Sequence, residues 1–287
     1  MFLPFIKQFI LLFNTILKDD SKNKDINLGT LQYLNANALE TPATSLIAIT
    51  NETKHLYDIA FKIIANGLIL KRRNILSNMD IECVISDRYL KEEVNVNREY
   101  LTRAKELCGA ILDFSTKAQL NMKKEDIQKI YELKLANKSI ITAIKATQHL
   151  CKNMKIYTKS PNIYVKEEYN FIRKNLIELL RAIHVIATSI HCDEILLLLS
   201  KAKSLARKND IFSNGKFDDL IQRGLIPNEV AISLMNDSTY AYEISENLIT
   251  MAEILFINNR GDITNKGKGV MIMSNDFNET IPQKIIG

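Results

Sequence analysis

Glu52, His55 and Asp58 come nearest to a metal-ligand constellation, two carboxylates and an imidazole each three residues from the next. On a helix that spacing keeps them close to one face, and oxygen and imidazole donors suit a divalent cation. One short stretch cannot complete a coordination shell without ligands from a second helix. The three are therefore read as surface polar residues, and no metal site is assigned. His184 and His191, with Cys192 and Asp193 adjacent, fall seven apart on one helix face, too wide for a two-ligand clamp within a turn. Each reads as a satisfied core or boundary histidine. His149 lies in a polar stretch near Cys151 with no second acid or base close in sequence. No G-x-S-x-G, Walker A or H-E-x-x-H motif occurs. The GDITNKGKG run at 261–269 lacks the strand and helix that a phosphate-cradling loop requires. The expectation is a protein that is not an enzyme.

The four cysteines, Cys83, Cys108, Cys151 and Cys192, form no C-x-x-C pair. They read as reduced thiols in or near helical cores in a cytosolic compartment. A further polar group, Asn236, Asp237 and Ser238, interrupts the first turns of AISLMNDSTYAYEISENLITMAEILF (231–256). The block as a whole carries an i, i+3, i+4 stripe through Ala231, Leu234, Met235, Ser238, Ala241, Tyr242, Ser245, Leu248, Ile249, Ala252, Leu255 and Phe256. Small residues at its middle let another helix come close. The triplet points either at water or at a partner.

These residues are carried by helices. With 287 residues, 9 Gly, 5 Pro and no Trp, turn formers are scarce and apolar positions recur at helical spacing, which argues for an all-α chain. The net charge of +5 is spread over alternating acids and bases, so it reads as solvated helix faces, and no nucleic-acid partner is expected. Residues 1–18 form an apolar helix with Phe2, Phe5, Phe9 and Phe13 at helical spacing and Lys7 near its middle. It reads as an interfacial helix, the shortened end of a membrane span, or a helix docked on its own domain, with membrane contact through the four phenylalanines favoured. No secretory signal is read there.

Residues 19–40 are a linker whose first part, DDSKNKDINLGT, is polar and unpatterned. Thr41 and Pro42 then start a helix of some 30 residues and about 45 Å. It runs through Leu46, Ile49, Thr53, Leu56, Ala60, Ile63, Gly67 and Leu70 to Lys71, Arg72 and Arg73. A second helix is expected over about 87–119, with Val94, Asn97, Leu101, Ala104, Cys108, Ile111, Ser115 and Ala118 buried. A third is expected over 124–154, with Ile127, Ile130, Ile141, Ile144 and Cys151 inward. Ser160, Pro161 and Asn162 divide the domain into halves 41–158 and 162–258. The fourth helix carries Tyr169, Ile172, Leu176, Leu179, Ile183 and Ile186, the fifth spans 193–208, and the block at 231–256 is the sixth. Between the last two lies a loop containing a short helix, and 259–287 is a mobile tail. Two sets of three long helices imply two antiparallel three-helix bundles with an extended common core.

LQYLNANALETPATSLIAITNETKHLYDIA (31–60) resembles the junction in bacterial sodium/phosphate cotransporters where the last membrane helix gives way to the PhoU-like cytosolic domain. MFLPFIKQFILLF is similar to the end of that last membrane segment, and 231–256 resembles the end of the PhoU-like domain. The similarity runs in order over residues 1 to about 258, with its most specific motifs at 38–46 and 233–242. It implies the two-bundle fold, a place at the cytoplasmic face of the inner membrane, and a regulatory or accessory role in sodium-dependent phosphate uptake.

The Gln-Ser-Ser segments of that family's transport half are missing, and one marginal span cannot form an alternating-access pathway, so the chain is not a transporter by itself. The acidic motifs of soluble PhoU proteins, a carboxylate followed four residues later by Asp, are also missing, so neither a metal cluster nor any other cofactor is expected. The partner implied is a membrane phosphate-transporter component, met through Asn236, Asp237, Ser238 and Tyr242. Alternatives are a soluble phosphate-signalling adaptor of the PhoU type and a non-functional remnant of a split or truncated cotransporter gene. A homo-oligomer is compatible with each.

Overall fold

Thr41 starts the first long helix by a reciprocal cap. Its hydroxyl accepts from Thr44 N–H at 3.1 Å while the Thr44 hydroxyl accepts from Thr41 N–H at 3.2 Å, and Pro42 fills the first helical position. The computed structural model describes residues 31–86, 95–189, 191–208 and 216–258, which are all-helical with no strand among them. The chain divides into units 1–32 and 33–287, and every described helix belongs to the second. The expectations for the apolar helix at 1–18, for linker residues 19–30 and for the tail at 259–287 lie outside the described residues. No described helix is long and apolar enough to cross a membrane.

Residues 33–40, placed in the linker by sequence, are anchored. The N–H groups of Tyr33 and Leu34 donate to the buried Glu52 carboxylate at 2.7 and 3.2 Å, and Asn35 caps a 3-10 turn over Ala36–Leu39. Helix α1 (Pro42–Gly67) is shorter than its periodicity suggested. Ile69 adopts a left-handed φ of 60°, while Leu70 N–H closes onto Ala65 C=O at 2.9 Å. A β-branched residue is strained there. Arg72 and Arg73 therefore belong to a separate turn, α2 (Arg72–Ile75), from which Arg72 reaches back to Asp58 at 2.6 Å. A short α3 (Ile81–Ser86) follows.

The second long helix is α4 (Val96–Glu99), a π turn at Tyr100–Ala104, and α5 (Lys105–Ala118). The wide turn holds an extra residue and shifts the phase of everything before it. Asn97 and Leu101, expected inside, are exposed, whereas Val96, Ala104, Leu107, Ile111, Phe114, Ser115 and Ala118 are buried. Val94 lies outside the described residues.

Helix α6 (Lys124–Tyr157) has 34 residues and is about 51 Å long. It packs against α1 on one side and the last helix on another, so its buried surface is wider than a single stripe. Asn137, Ser139, Ala143, Ala146 and Thr147 join Ile130, Ile140 and Ile144 inside. A short non-helical stretch leads to α7 (Ile163–Thr188), whose first N–H groups are capped by Asn162. Helices α8 (Cys192–Lys208), α9 (Lys216–Gln222) and α10 (Asn228–Ala252) complete the order, and α10 runs into a π turn at Glu253–Ile257. Helix α1 packs on α5 and α6, α6 on α10, and α10 on α7 and α8.

Close approach explains the small residues. A Cβ on Gly67 would overlap Thr147 Cγ2. The hydroxyls of Thr53, Ser115, Thr147 and Ser245 each donate to the carbonyl four residues back, at 2.6–2.8 Å. Each hydroxyl hydrogen is thus satisfied within its own helix, and the Thr53 oxygen also accepts from Asn137 Nδ2 of α6 at 3.2 Å.

Candidate functional site

Helix α10 splits the polar triplet. Asn236 is exposed, whereas Asp237 and Ser238 are 0% and 3% exposed. Asp237 and Ser238 therefore cannot form an outward docking patch with Asn236, because the stripe turns them into the domain. What remains on the surface is a row through Ile232, Asn236, Thr239 and Tyr242, with Ile232 59% and Tyr242 39% exposed.

Inside, the Tyr169 hydroxyl of α7 donates to Asp237 Oδ2 at 2.6 Å, and the Tyr157 ring of α6 lies 4.9 Å from the Tyr169 ring. Asp237 Oδ1 is buried without a hydrogen-bond partner. Burial pushes the Asp237 carboxyl above its ordinary range, against the Tyr169 hydrogen bond and the nearby Asn153 side chain, which favour the charged form. Burial likewise raises the Tyr169 phenol, with its hydrogen bond to Asp237 adding to the effect. The pair is a buried hydrogen-bonded contact between α7 and α10. Helical spacing placed Tyr169 on the fourth helix's apolar row, but nothing in that spacing paired it with a residue 68 positions away.

The acid and histidine sets do not assemble. Glu52 pairs with His55 at 2.8 Å and holds the backbone of residues 33 and 34, while Asp58 turns away to Arg72. Read as surface groups, the three are corrected at Glu52, which is 0% exposed because it serves that strap. His184 and His191 do not share a helix: α7 ends at Thr188, extended backbone follows at Ser189, and His191 precedes α8 in an exposed turn. His149 is exposed and stacks on Tyr240 with ring centroids 4.9 Å apart, joining α6 to α10 at the surface. Among the described residues no group of three His, Cys, Asp or Glu could hold a metal ion. Cys83 is exposed rather than near a core, and Cys108 and Cys151 are unpaired thiols raised by burial. Phe2, Phe5, Phe9 and Phe13 lie outside the described residues.

Sequence reasoning passed over the arginines of α7. Arg181 donates to the carbonyls of Ile75, Ser77 and Met79 at 2.7–3.0 Å, and Lys174 pairs with Glu82 at 2.9 Å. Arg173, 5% exposed, donates to the carbonyls of Leu68, Ile69 and Ile85 and to Asn170 Oδ1. Together they clamp residues 68–86 onto α7. The signal was available, since Arg173 follows Tyr169 by four in an otherwise apolar row. Compared with models of known families, with curated proteins and with solved structures, the chain matches none.

Proposed function

We propose that this chain is a regulatory or accessory PhoU-like domain associated with sodium-dependent phosphate uptake, acting by docking on a membrane component at the cytoplasmic face of the inner membrane. In this reading α1, α5 and α6 form one antiparallel three-helix bundle and α7, α8 and α10 the other. The observation that carries it is the grouping of the helices: three long ones on each side of the interruption at 158–162, with α6 and α10 packed together between the groups. The capped start at Thr41–Pro42 within the Leu-Glu-Thr-Pro segment supports the same reading. The docking surface is the outward row of α10 containing Asn236 and Tyr242, and residues 1–18 supply the apolar contact with the bilayer.

The test uses the full chain as bait on detergent-solubilised membranes, with recovered proteins identified by mass spectrometry. The reading expects a phosphate-transporter subunit, depleted when Asn236→Ala and Tyr242→Ala are combined. Repeated recovery of a phosphate-signalling protein and no transporter subunit would overturn it in favour of the soluble adaptor.

A further inference from the structure

A cavity of about 480 Å³ opens between α3, the turn joining α6 to α7, and the first turns of α7. Arg173, Lys159, Lys166, Asn170, Thr158 and Ser86 line it, and none of the described lining residues is acidic. Arg173 is buried at its back, and all its hydrogen-bond partners among the described residues are neutral: three backbone carbonyls and the Asn170 amide oxygen. Burial pulls the Arg173 pKa down to about 10. A buried cation compensated only by dipoles is costly and is relieved by an anion.

The remaining lining groups point the same way. Lys159 and Lys166 pair with no carboxylate among the described residues. Arg173 donates to the Asn170 oxygen at 3.1 Å, which fixes the amide's orientation and leaves its N–H groups as donors. The Thr158 and Ser86 hydroxyls donate to Met154 and Glu82 carbonyls at 2.6 and 2.7 Å, so they serve as walls rather than donors. Ile69, the single non-glycine residue with positive φ among the described residues, forms another wall, and its carbonyl is one that Arg173 holds. Strained backbone of this kind is kept where the surroundings fix it, often at ligand sites. A cavity of this volume falls within the roughly 300–1,000 Å³ of small-molecule sites.

The geometry points to this cavity as a binding site for a small soluble phosphorylated anion, a pyrophosphate or a phosphate monoester. Arg173 supplies charge at the back, and Lys159, Lys166 and the Asn170 amide donate to the phosphate oxygens. The inference rests on the cavity and not on the docking reading, so either can fail alone.

Isothermal titration of the purified full chain with pyrophosphate, AMP and inorganic phosphate, with sodium sulfate as a control, tests it at physiological ionic strength. Pyrophosphate or AMP binds saturably with one site per chain and in preference to sulfate, and saturable binding of inorganic phosphate alone counts against the assignment. The variant K159E/K166E weakens that binding roughly 30-fold or more while keeping the ligand-free melting temperature, because neither lysine side chain pairs with a carboxylate among the described residues. Lys138→Glu, at an exposed position on α6, leaves it unchanged. No saturable binding by any probe, binding that K159E/K166E leaves intact, equal binding of sulfate, or equal weakening by Lys138→Glu would each overturn the assignment.

Discussion

Removing the Tyr169 hydroxyl takes away the 2.6 Å hydrogen bond that the buried Asp237 carboxylate receives at Oδ2. Oδ1 makes no hydrogen bond among the described residues, the Asn153 side chain lies nearby, and Tyr169 and Asp237 are both 0% exposed. A hydrogen bond to a charged group contributes about 1.5–3 kcal/mol net, and stranding a buried charge costs about 3–5 kcal/mol. Tyr169→Phe avoids the upper figure by letting the carboxyl take up a proton. The expected loss is therefore about 3 kcal/mol at pH 8, or about 6–12 °C in melting temperature for a domain of this size.

The sign of the pH effect follows from burial, which raises the Asp237 pKa in the folded chain. Between the ordinary carboxylate value and that raised value the folded state binds more protons than the unfolded one. The contribution of Asp237 to stability is thus most favourable at low pH and declines as pH rises through the folded value. Tyr169→Phe removes a group that holds the pKa down, so the window extends upward and the variant recovers part of its loss at about pH 5. Urea unfolding followed by far-UV circular dichroism at the two pH values measures both effects. A variant within about 0.5 kcal/mol of wild type at both would refute the assigned role of the pair.

Gly67→Ala should cost about 1–3 kcal/mol, because its Cβ overlaps Thr147. Gly109→Ala, in mid-α5 with nothing within 4 Å, should stabilise by about 0.5–1 kcal/mol; chemical unfolding of the two variants together separates close packing from helix propensity. Glu52→Ala should release the strap at residues 33–40, seen as faster amide exchange at Tyr33 and Leu34. In a Cys192→Ser background, Cys83 should react rapidly with a thiol reagent while Cys108 and Cys151, raised by burial, react slowly.

The long helices were legible because an apolar stripe and a cap are local features: Thr41 and the stripe of α10 each act over a few residues, whereas Asn162 was read only as part of a break. The register of Asn97 and Leu101 was not, since the π turn at Tyr100–Ala104 breaks the assumption of constant periodicity. Helix α6 hid its second face because close contact with both α1 and α10 selects Ala, Ser, Thr and Asn rather than a second row of leucines. Asp237 and the α7 arginines escaped for another reason. Their partners, Tyr169, Leu68, Ile75 and Ile85, are 68 to 106 residues away, and two of the three are satisfied by backbone carbonyls that carry no mark in the sequence.

Sodium-dependent uptake of radiolabelled phosphate tests the proposed role most directly, measured in cells that contain the full chain and in cells from which it is depleted. An accessory domain of phosphate uptake predicts a several-fold change in the initial rate on depletion, restored by the wild-type chain and not by the Asn236→Ala, Tyr242→Ala variant. Identical rates with and without the chain, at both low and high external phosphate, would contradict it.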